Sequence, residues 1–363
     1  MGIVRPDESL RVEIEEFRRM LLSCAGVHGR KDEEEFRDRR ITTKGGHNDV
    51  IMQEKPVCVT SGVSFLGLAI VNQLLLRGYS VRIIVTNEED VEMVREMEMS
   101  GEMRVVNNNT RAVIAKFTEV ESLTEAFEGC YGVFHTAAFV DPAGLSGYSK
   151  SMADLEVKAS ENVMEACART SSVRKCVLTS SLLACIWQDK SGSDLSTVIN
   201  HDCWSNESLC IDKKLWYALG KLRAEKAAWK VAEERGLKLV TICPGLITGP
   251  EFVCRNSTAT IAYLKGAKEM YADGLLATVD VNRLAEAHVC VFEAMNKTAF
   301  GRYICFDHIV EREDEAEKLA METGMQINTI LGNASSNFPI RFELSNMKLS
   351  RLMSKTLQCC NES

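Results

Sequence analysis

Tyr217 and Lys221 stand four residues apart in Trp216-Tyr217-Ala218-Leu219-Gly220-Lys221. On a helix that spacing puts a phenol and an ammonium on one face, one turn apart. A phenol with a pKa near ~10 is a poor acid or base at neutral pH. A neighbouring ammonium favours the phenolate and brings the group toward the working range. Tyr217 could then give a proton to a carbonyl oxygen as a hydride arrives, or take one in the reverse direction. The same pair also arises on solvated helix faces, so the elements around it must show that it is a site.

Those elements begin at Pro56. Residues 57–60 are a short apolar run after a proline, the pattern of a buried parallel strand. Residues 61–64 form a turn, and 65–77 carry Leu66, Ile70, Val71, Leu74 and Leu75 at helical spacing before Gly78. Further strands are expected at 80–85, 112–117, 132–135, 175–179 and 238–243. Helices are expected at 91–99, 123–127 and 151–169, the last with Leu155, Ala159, Val163 and Ala166 on its inner side. The Tyr217 helix runs on to residue 234. Alternating strands and helices imply parallel pairing through right-handed crossovers. Six such units give an α/β chain with a doubly wound parallel sheet, whose ligands bind outside the carboxyl ends of the strands. The expected division is a sheet domain over 55–249, a smaller substrate-side lobe over 250–350 interleaved with late parts of the sheet, and a tail at 351–363.

Residues 1–54 read as an extension. Leu10, Ile14, Phe17, Leu21 and Cys24 fall at helical spacing and give an amphipathic helix, docked on the same chain or offered to a protein partner. The mixed-charge run 31–40 reads as solvated, and 42–48, with Gly45-Gly46, as a linker. With 363 residues, 45% hydrophobic and 26% charged, the chain has the composition of an ordinary globular protein. A net charge of −8 without a basic block argues against a nucleic-acid partner. No apolar run approaches the ~20 residues that span a bilayer, and the charged N-terminus lacks a signal-peptide core. The 14 cysteines are scattered, and Cys58, Cys176 and Cys243 sit inside apolar strand-like runs. They read as small buried hydrophobes in a reducing, cytoplasmic compartment. There is no Cys-x-x-Cys pair, and His201, Cys203 and Cys210 are a poor ligand set, so no metal is expected.

Several landmarks fall in one order. They are the strand-turn-helix at 57–67, Val133-Phe134-His135-Thr136-Ala137-Ala138, Leu178-Thr179-Ser180-Ser181 and Asp202-Cys203-Trp204-Ser205. The Tyr217 hexapeptide, Ala224-Glu225-Lys226-Ala227-Ala228-Trp229, Ile242-Cys243-Pro244 and Gly301-Arg302-Tyr303-Ile304-Cys305 follow. Over roughly 55–310 the chain resembles the extended short-chain dehydrogenase/reductase superfamily, nearest its plant cinnamoyl-CoA reductase and dihydroflavonol reductase group. The resemblance implies a Rossmann-type dinucleotide-binding domain and a catalytic set of Ser181, Tyr217 and Lys221. Ser181 would orient a substrate carbonyl, Tyr217 would be the acid, and Lys221 would lower the Tyr217 pKa and hold the nicotinamide ribose. The implied cofactor is NADP(H), with NAD(H) open. Its contacts would come from Ser61, Ser64, Phe65, Leu66, Gly67, Arg82, Ala137, Tyr217, Lys221, Pro244 and Ile247.

This chain departs from the family pattern at its nucleotide turn. Where relatives read Thr-Gly-x-x-Gly-x-x-Gly, it has Thr60-Ser61-Gly62-Val63-Ser64-Phe65-Leu66-Gly67. The first glycine serves the tight turn and the second the approach of the pyrophosphate to the helix N-terminus. Serine at a position that needs positive φ costs on the order of 1–2 kcal/mol, unless Gly62 shifts the turn by one residue. At the second strand's end, Thr86 replaces the base of NADP-dependent relatives and Asn87-Glu88-Glu89-Asp90 follows, which suits the ribose of NAD. Arg82 is the remaining cation, and Lys116 stands where relatives often carry Asp. Leu215, Ala218 and Leu219 replace the Asn and the Cys-Tyr pair of true cinnamoyl-CoA reductases, and 256–266 lacks their basic residues for the CoA end. Two functions are expected to compete. One is hydride transfer to or from an aromatic carbonyl or CoA-thioester compound. The other is a binding or regulatory protein on the same fold.

Overall fold

Strict alternation inside short strands sorts the core into two layers. In β1 (Val57–Thr60), Val57 and Val59 join one apolar cluster while Cys58 joins another, and all three are fully buried. The computed structural model describes residues 56–105, 109–136, 148–189, 198–332 and 342–361. The expected helix in the 1–54 extension and the cofactor residue Ala137 lie outside them.

From β1 the chain continues as α1 (Phe65–Leu76), β2 (Val81–Val85), α2 (Glu88–Ser100), β3 (Thr110–Ile114), α3 (Val120–Phe127), β4 (Gly132–His135), α4 (Lys150–Arg169) and β5 (Lys175–Thr179). A 3-10 turn at Leu182–Ala184 leads to β6 (Val198–Ile199), α5 (Glu207–Asp212), α6 (Trp216–Arg235), β7 (Lys238–Pro244) and β8 (Leu246–Thr248). The later elements are α7 (Phe252–Arg255), α8 (Ser257–Leu264), α9 (Ala267–Ala272), β9 (Ala277–Asp280), α10 (Val281–Ala294), β10 (Gly301–Cys305) and β11 (His308–Ile309). The last are α11 (Glu313–Thr323), α12 (Ile327–Leu331), β12 (Glu343–Leu344) and α13 (Met347–Asn361).

The main sheet has seven strands in the order β10-β7-β5-β4-β1-β2-β3, paired in parallel throughout. It is the doubly wound sheet expected, with one strand more than the six read from the sequence. The extra strand is β10, in register with β7 from Gly301↔Val240 to Cys305↔Pro244. Arg302 interrupts its apolar run, so it does not read as a buried strand. Inside the fold that guanidinium is neutralised by Glu225 at 2.8 Å. Strand order reverses between β1 and β4, and a crevice opens there at the carboxyl ends.

One face of the sheet is covered by α1, α2, α10 and α13, the other by α3, α4 and α6. Thus α10 and β10 return from the expected substrate-side stretch to the main sheet, α10 packing on α1. The tail expected from 351 is helical through Asn361. Another apolar cluster joins the 3-10 turn, α8, α9, α11 and α12 beside the small sheet β11-β9-β8. Element ends move where a cap decides them. The helix expected from 91 begins at Glu88 because the Asn87 side chain accepts from Asp90 N at 2.8 Å. Among the described residues no helix is long and apolar enough to cross a membrane.

Candidate active site

β5 ends at Thr179, and the next two serines part company. Ser180 Oγ points inward and donates to Glu225 Oε2 at 2.7 Å. Ser181 Oγ caps the 3-10 turn by accepting from Leu183 N at 3.2 Å. Its hydroxyl proton is still available to a second acceptor. Ser181, Tyr217 and Lys221 line one cleft at the carboxyl end of the sheet, together with Ser64, Leu66, Thr136, Pro244 and Ile247. Asn256, Ala259 and Tyr263 close it from the α8 side.

α6 places Tyr217 in its first turn and Lys221 one turn later, with Lys221 Nζ 5.6 Å from the Tyr217 ring centre. Lys221 does not stand alone. Its Nζ lies 2.5 Å from Glu156 Oε1, and both side chains are 6% exposed. Glu156 Oε2 also accepts from the Tyr148 hydroxyl. Desolvation pulls the Lys221 ammonium down, but Glu156 and then Tyr217 outweigh it and leave it above the ordinary lysine value. The phenol departs from expectation. Desolvation pushes Tyr217 up, Lys221 pulls it down, Glu156 pushes it up again, and the net shift is upward. The ammonium thus fails to bring the phenol below its usual value, because burial and the neighbouring carboxylate outweigh it. Beside them His135 is driven down to about 3 by burial and then by the charge of Lys221, so the ring is neutral. Its Nδ1 lies 3.0 Å from Thr60 Oγ1.

The α4 stripe holds at Ala159, Val163 and Ala166, all buried, and fails at its first member. Leu155 is 51% exposed, whereas Glu156 is 5% exposed and turned toward α6. In the sequence Glu156 looks like one more charge on a wet helix face. Nothing local marks its partner, which lies on another helix.

The β1–α1 turn is where the diphosphate of a dinucleotide would lie. Ser61 takes the left-handed conformation at φ 55, and Gly62 does not take over that role. Gly62 is small for another reason, since a Cβ there would lie 2.6 Å from Ile83 Cγ2. A Cβ on Gly67 would lie 2.1 Å from Ser61 O, so this glycine lets the helix start close against the turn. Ser64 is the N-cap of α1, its Oγ accepting from Gly67 N at 3.1 Å. The cleft therefore has a helix N-terminus at the strand-order reversal, with a serine hydroxyl where relatives have bare backbone. These residues fit the diphosphate of a dinucleotide, with Ser64 as an added hydroxyl contact.

The expected site residues divide by position. Ser64, Leu66, Ser181, Tyr217, Lys221, Pro244 and Ile247 share the cleft lining. Ser61, Phe65 and Gly67 build the turn behind it, with Phe65 8% exposed. Arg82 is elsewhere. It is the second residue of β2, at the amino end of the sheet, and its Nη1 donates to Ala126 O and Glu128 O, both at 2.7 Å. There it holds the end of α3, and a 2′-phosphate at the carboxyl end is beyond its reach. At that end Asp90 Oδ2 accepts from Thr86 N at 3.0 Å and Thr86 Oγ1 at 2.8 Å. Lys116 follows β3 beside it, one residue after Ala115, whose N–H bonds Val85 O at 3.0 Å. Thr136, Asn256 and Tyr263 are lining residues that sequence reasoning missed. Thr136 lay inside a quoted landmark, and the other two carried no local signal.

Residues 58–308 match the 3-beta hydroxysteroid dehydrogenase/isomerase family. Cinnamoyl-CoA reductase 1 of Petunia hybrida is 36% identical over 269 residues, 73% of this chain and 76% of that protein. The crystal structure of vestitone reductase from alfalfa (Medicago sativa) is similar with a TM-score of 0.60 and 26% identity, covering 85% of this chain and 98% of that one. The yeast methylglyoxal/isovaleraldehyde reductase Gre2, crystallised with NADPH, shares the fold at a TM-score of 0.62 and 20% identity, over 82% of this chain and 93% of that one.

Proposed function

The chain belongs to the 3-beta hydroxysteroid dehydrogenase/isomerase family, and from that premise we propose that it is an NAD(P)-dependent reductase of small carbonyl compounds. The observation that carries this reading is the convergence of Ser181, Tyr217 and Lys221 on one cleft, beside the N-terminus of α1. A bound nicotinamide supplies the hydride. Ser181 donates its free hydroxyl proton to the substrate carbonyl oxygen and fixes its direction. Tyr217, held protonated, gives its proton to that oxygen as negative charge develops there. Lys221, cationic beside it, stabilises the phenolate left behind.

NADP(H) is the proposed nucleotide, supported by the NADPH bound to the yeast relative of the same fold. With Arg82 occupied, Lys116, which pairs with Glu119 at 3.0 Å, would have to leave that partner to meet a 2′-phosphate, against the carboxylates of Glu88, Glu89 and Asp90. The substrate class is an apolar, preferably aromatic, carbonyl compound, supported by Ala259 and Tyr263 on the α8 side of the lining. An acyl-CoA thioester, the substrate that the Petunia relative's name gives, has less support. Arg255, just before 256–266, pairs with Glu102 at 2.5 Å, and Lys265 within it donates to Lys214 O at 2.8 Å, so both bases are engaged.

The test is calorimetric titration of the purified protein with NADPH and NADH, followed by turnover of aromatic aldehydes, ketones and thioesters. NADPH is expected to bind more tightly. Tyr217→Phe is expected to keep nucleotide binding and lose about 10²–10⁴-fold in kcat. Unchanged turnover in that variant would sink the mechanism. Failure of both nucleotides to bind would favour the alternative of a binding protein on this fold.

A further inference from the structure

We propose that Glu156 is a positioning residue that fixes the Lys221 ammonium and keeps Tyr217 in its proton-holding form, setting the site to give a proton rather than to take one. The inference rests on the reductase reading above and deepens it.

The geometry is a closed chain of contacts between α4 and α6. Lys221 Nζ meets Glu156 Oε1 at 2.5 Å. The other carboxylate oxygen accepts from Tyr148, whose ring stands edge-on to Tyr217 with centroids 5.0 Å apart and planes at 77°. Gly220 makes the approach possible, since a Cβ there would lie 2.8 Å from the Tyr148 hydroxyl and 3.1 Å from Ala153 Cα. A buried carboxylate is costly unless it is paired and hydrogen-bonded, and this one is both. With Lys221 as sole neighbour, ionised Tyr217 would complete a neutral ion pair. With Glu156 present, the carboxylate and ammonium already cancel, and an ionised Tyr217 would add a net negative charge to a poorly hydrated site. The other ionisable groups around the phenol do not reverse this. Tyr148 lies ahead of α4 and Tyr263 comes from α8, both as neutral phenols. Asp154, on α4 near Tyr148, adds negative charge. His135, from β4, is neutral. Burial and Glu156 thus act together on Tyr217, against Lys221.

The test follows the phenol directly. The full-length protein, labelled with tyrosine carrying ¹³C at Cζ, is titrated by NMR without nucleotide, and the Tyr217 signal is assigned with Tyr217→Phe. Glu156→Gln is expected to lower the pH at which Tyr217 ionises by about one unit or more, a tenfold weaker hold on the proton. Glu156→Asp, which keeps the charge on a shorter arm, should move it the same way by less than half as much. In turnover, the alkaline fall in kcat for reduction should begin at correspondingly lower pH in Glu156→Gln, with KM for the carbonyl substrate changed less than about threefold. An unmoved Tyr217 signal in Glu156→Gln overturns the proposal. If that variant does not fold, Glu156→Asp decides alone, a downward shift supporting the proposal and no shift overturning it. The titration needs no substrate, so absence of turnover would count against the reductase reading while leaving this result intact.

Discussion

His288 is fully buried with its ring held at both ends. Nδ1 lies 2.8 Å from Leu284 O and Nε2 lies 2.8 Å from Thr179 Oγ1. A carbonyl oxygen only accepts, so Nδ1 carries the proton and Nε2 accepts from the threonine hydroxyl. Burial pushes this imidazole down to about 4, with the bond to Leu284 opposing. The folded value lies below the unfolded one near ~6.5, so acid protonates the unfolded chain first. The stabilisation is therefore complete above pH ~6.5 and is lost as pH falls toward about 4. The two values correspond to about 3 kcal/mol over that window. Urea denaturation at a series of pH values should show a shallower acid loss in His288→Gln than in the parent, which retains both His288 and His135. Equal slopes would mean that the ring gains a proton without penalty.

The β1–α1 turn shows how one element can be built from the wrong residues and still form. Ser61 adopts φ 55, where an L-residue is strained by about 1–2 kcal/mol. The turn persists because Ser61 N bonds Ile84 O at 3.1 Å, Ser64 N bonds Ser61 O at 2.9 Å, and Ser64 caps the helix that follows. Ser61→Gly should remove the strain. Glycine's greater freedom in the unfolded chain offsets part of the gain, leaving a net stabilisation of about 1 kcal/mol. A rise in the urea midpoint with an unchanged slope checks this, and a fall would mean that the serine side chain holds the turn. Cap chemistry explains what was legible here. The glycine departures and the helix start can be read from residues 60–67 alone. That residue 62 must be small is set by β2, whose Ile83 fills the space beside Gly62.

At the scale of the molecule, one buried ion pair joins distant parts of the chain. Arg302, on β10, donates through Nε to Glu225 Oε1 at 2.8 Å, and Glu225 also accepts from Ser180, just after β5, and Thr241 on β7. The guanidinium stacks 3.6 Å from the Trp204 ring centre and holds His201 O and Cys203 O. Glu225 lies one turn beyond Lys221 on α6, so the pair fixes the Tyr217 helix against the sheet. Glu225→Ala leaves a buried cation uncompensated and should cost about 3–5 kcal/mol by denaturation. The double variant Glu225→Leu, Arg302→Met should recover most of that loss. If the single variant is as stable as the parent, water or another acceptor reaches Arg302.

The sequence by itself determined the parts whose partners are near in the chain. The Tyr217–Lys221 pair follows from helix geometry, the alternating runs from strand and helix periods, and the altered glycine turn from its own eight residues. The parallel doubly wound sheet follows because short runs that alternate with helices leave few other ways to pair. Tertiary structure decided what depends on contacts between remote segments. It bound the Ser180 hydroxyl to Glu225 and set Ser181 at the cap of the 3-10 turn, left Arg82 at the far end of its strand, and added β10 to the sheet with its charge neutralised by Glu225. It also buried Tyr217 and set Glu156 against Lys221, so that burial first, and then charges on two helices, act on the phenol. The electrostatics of a buried group depend on the summed field of its surroundings and on lost hydration, and neither is a property of sequence spacing.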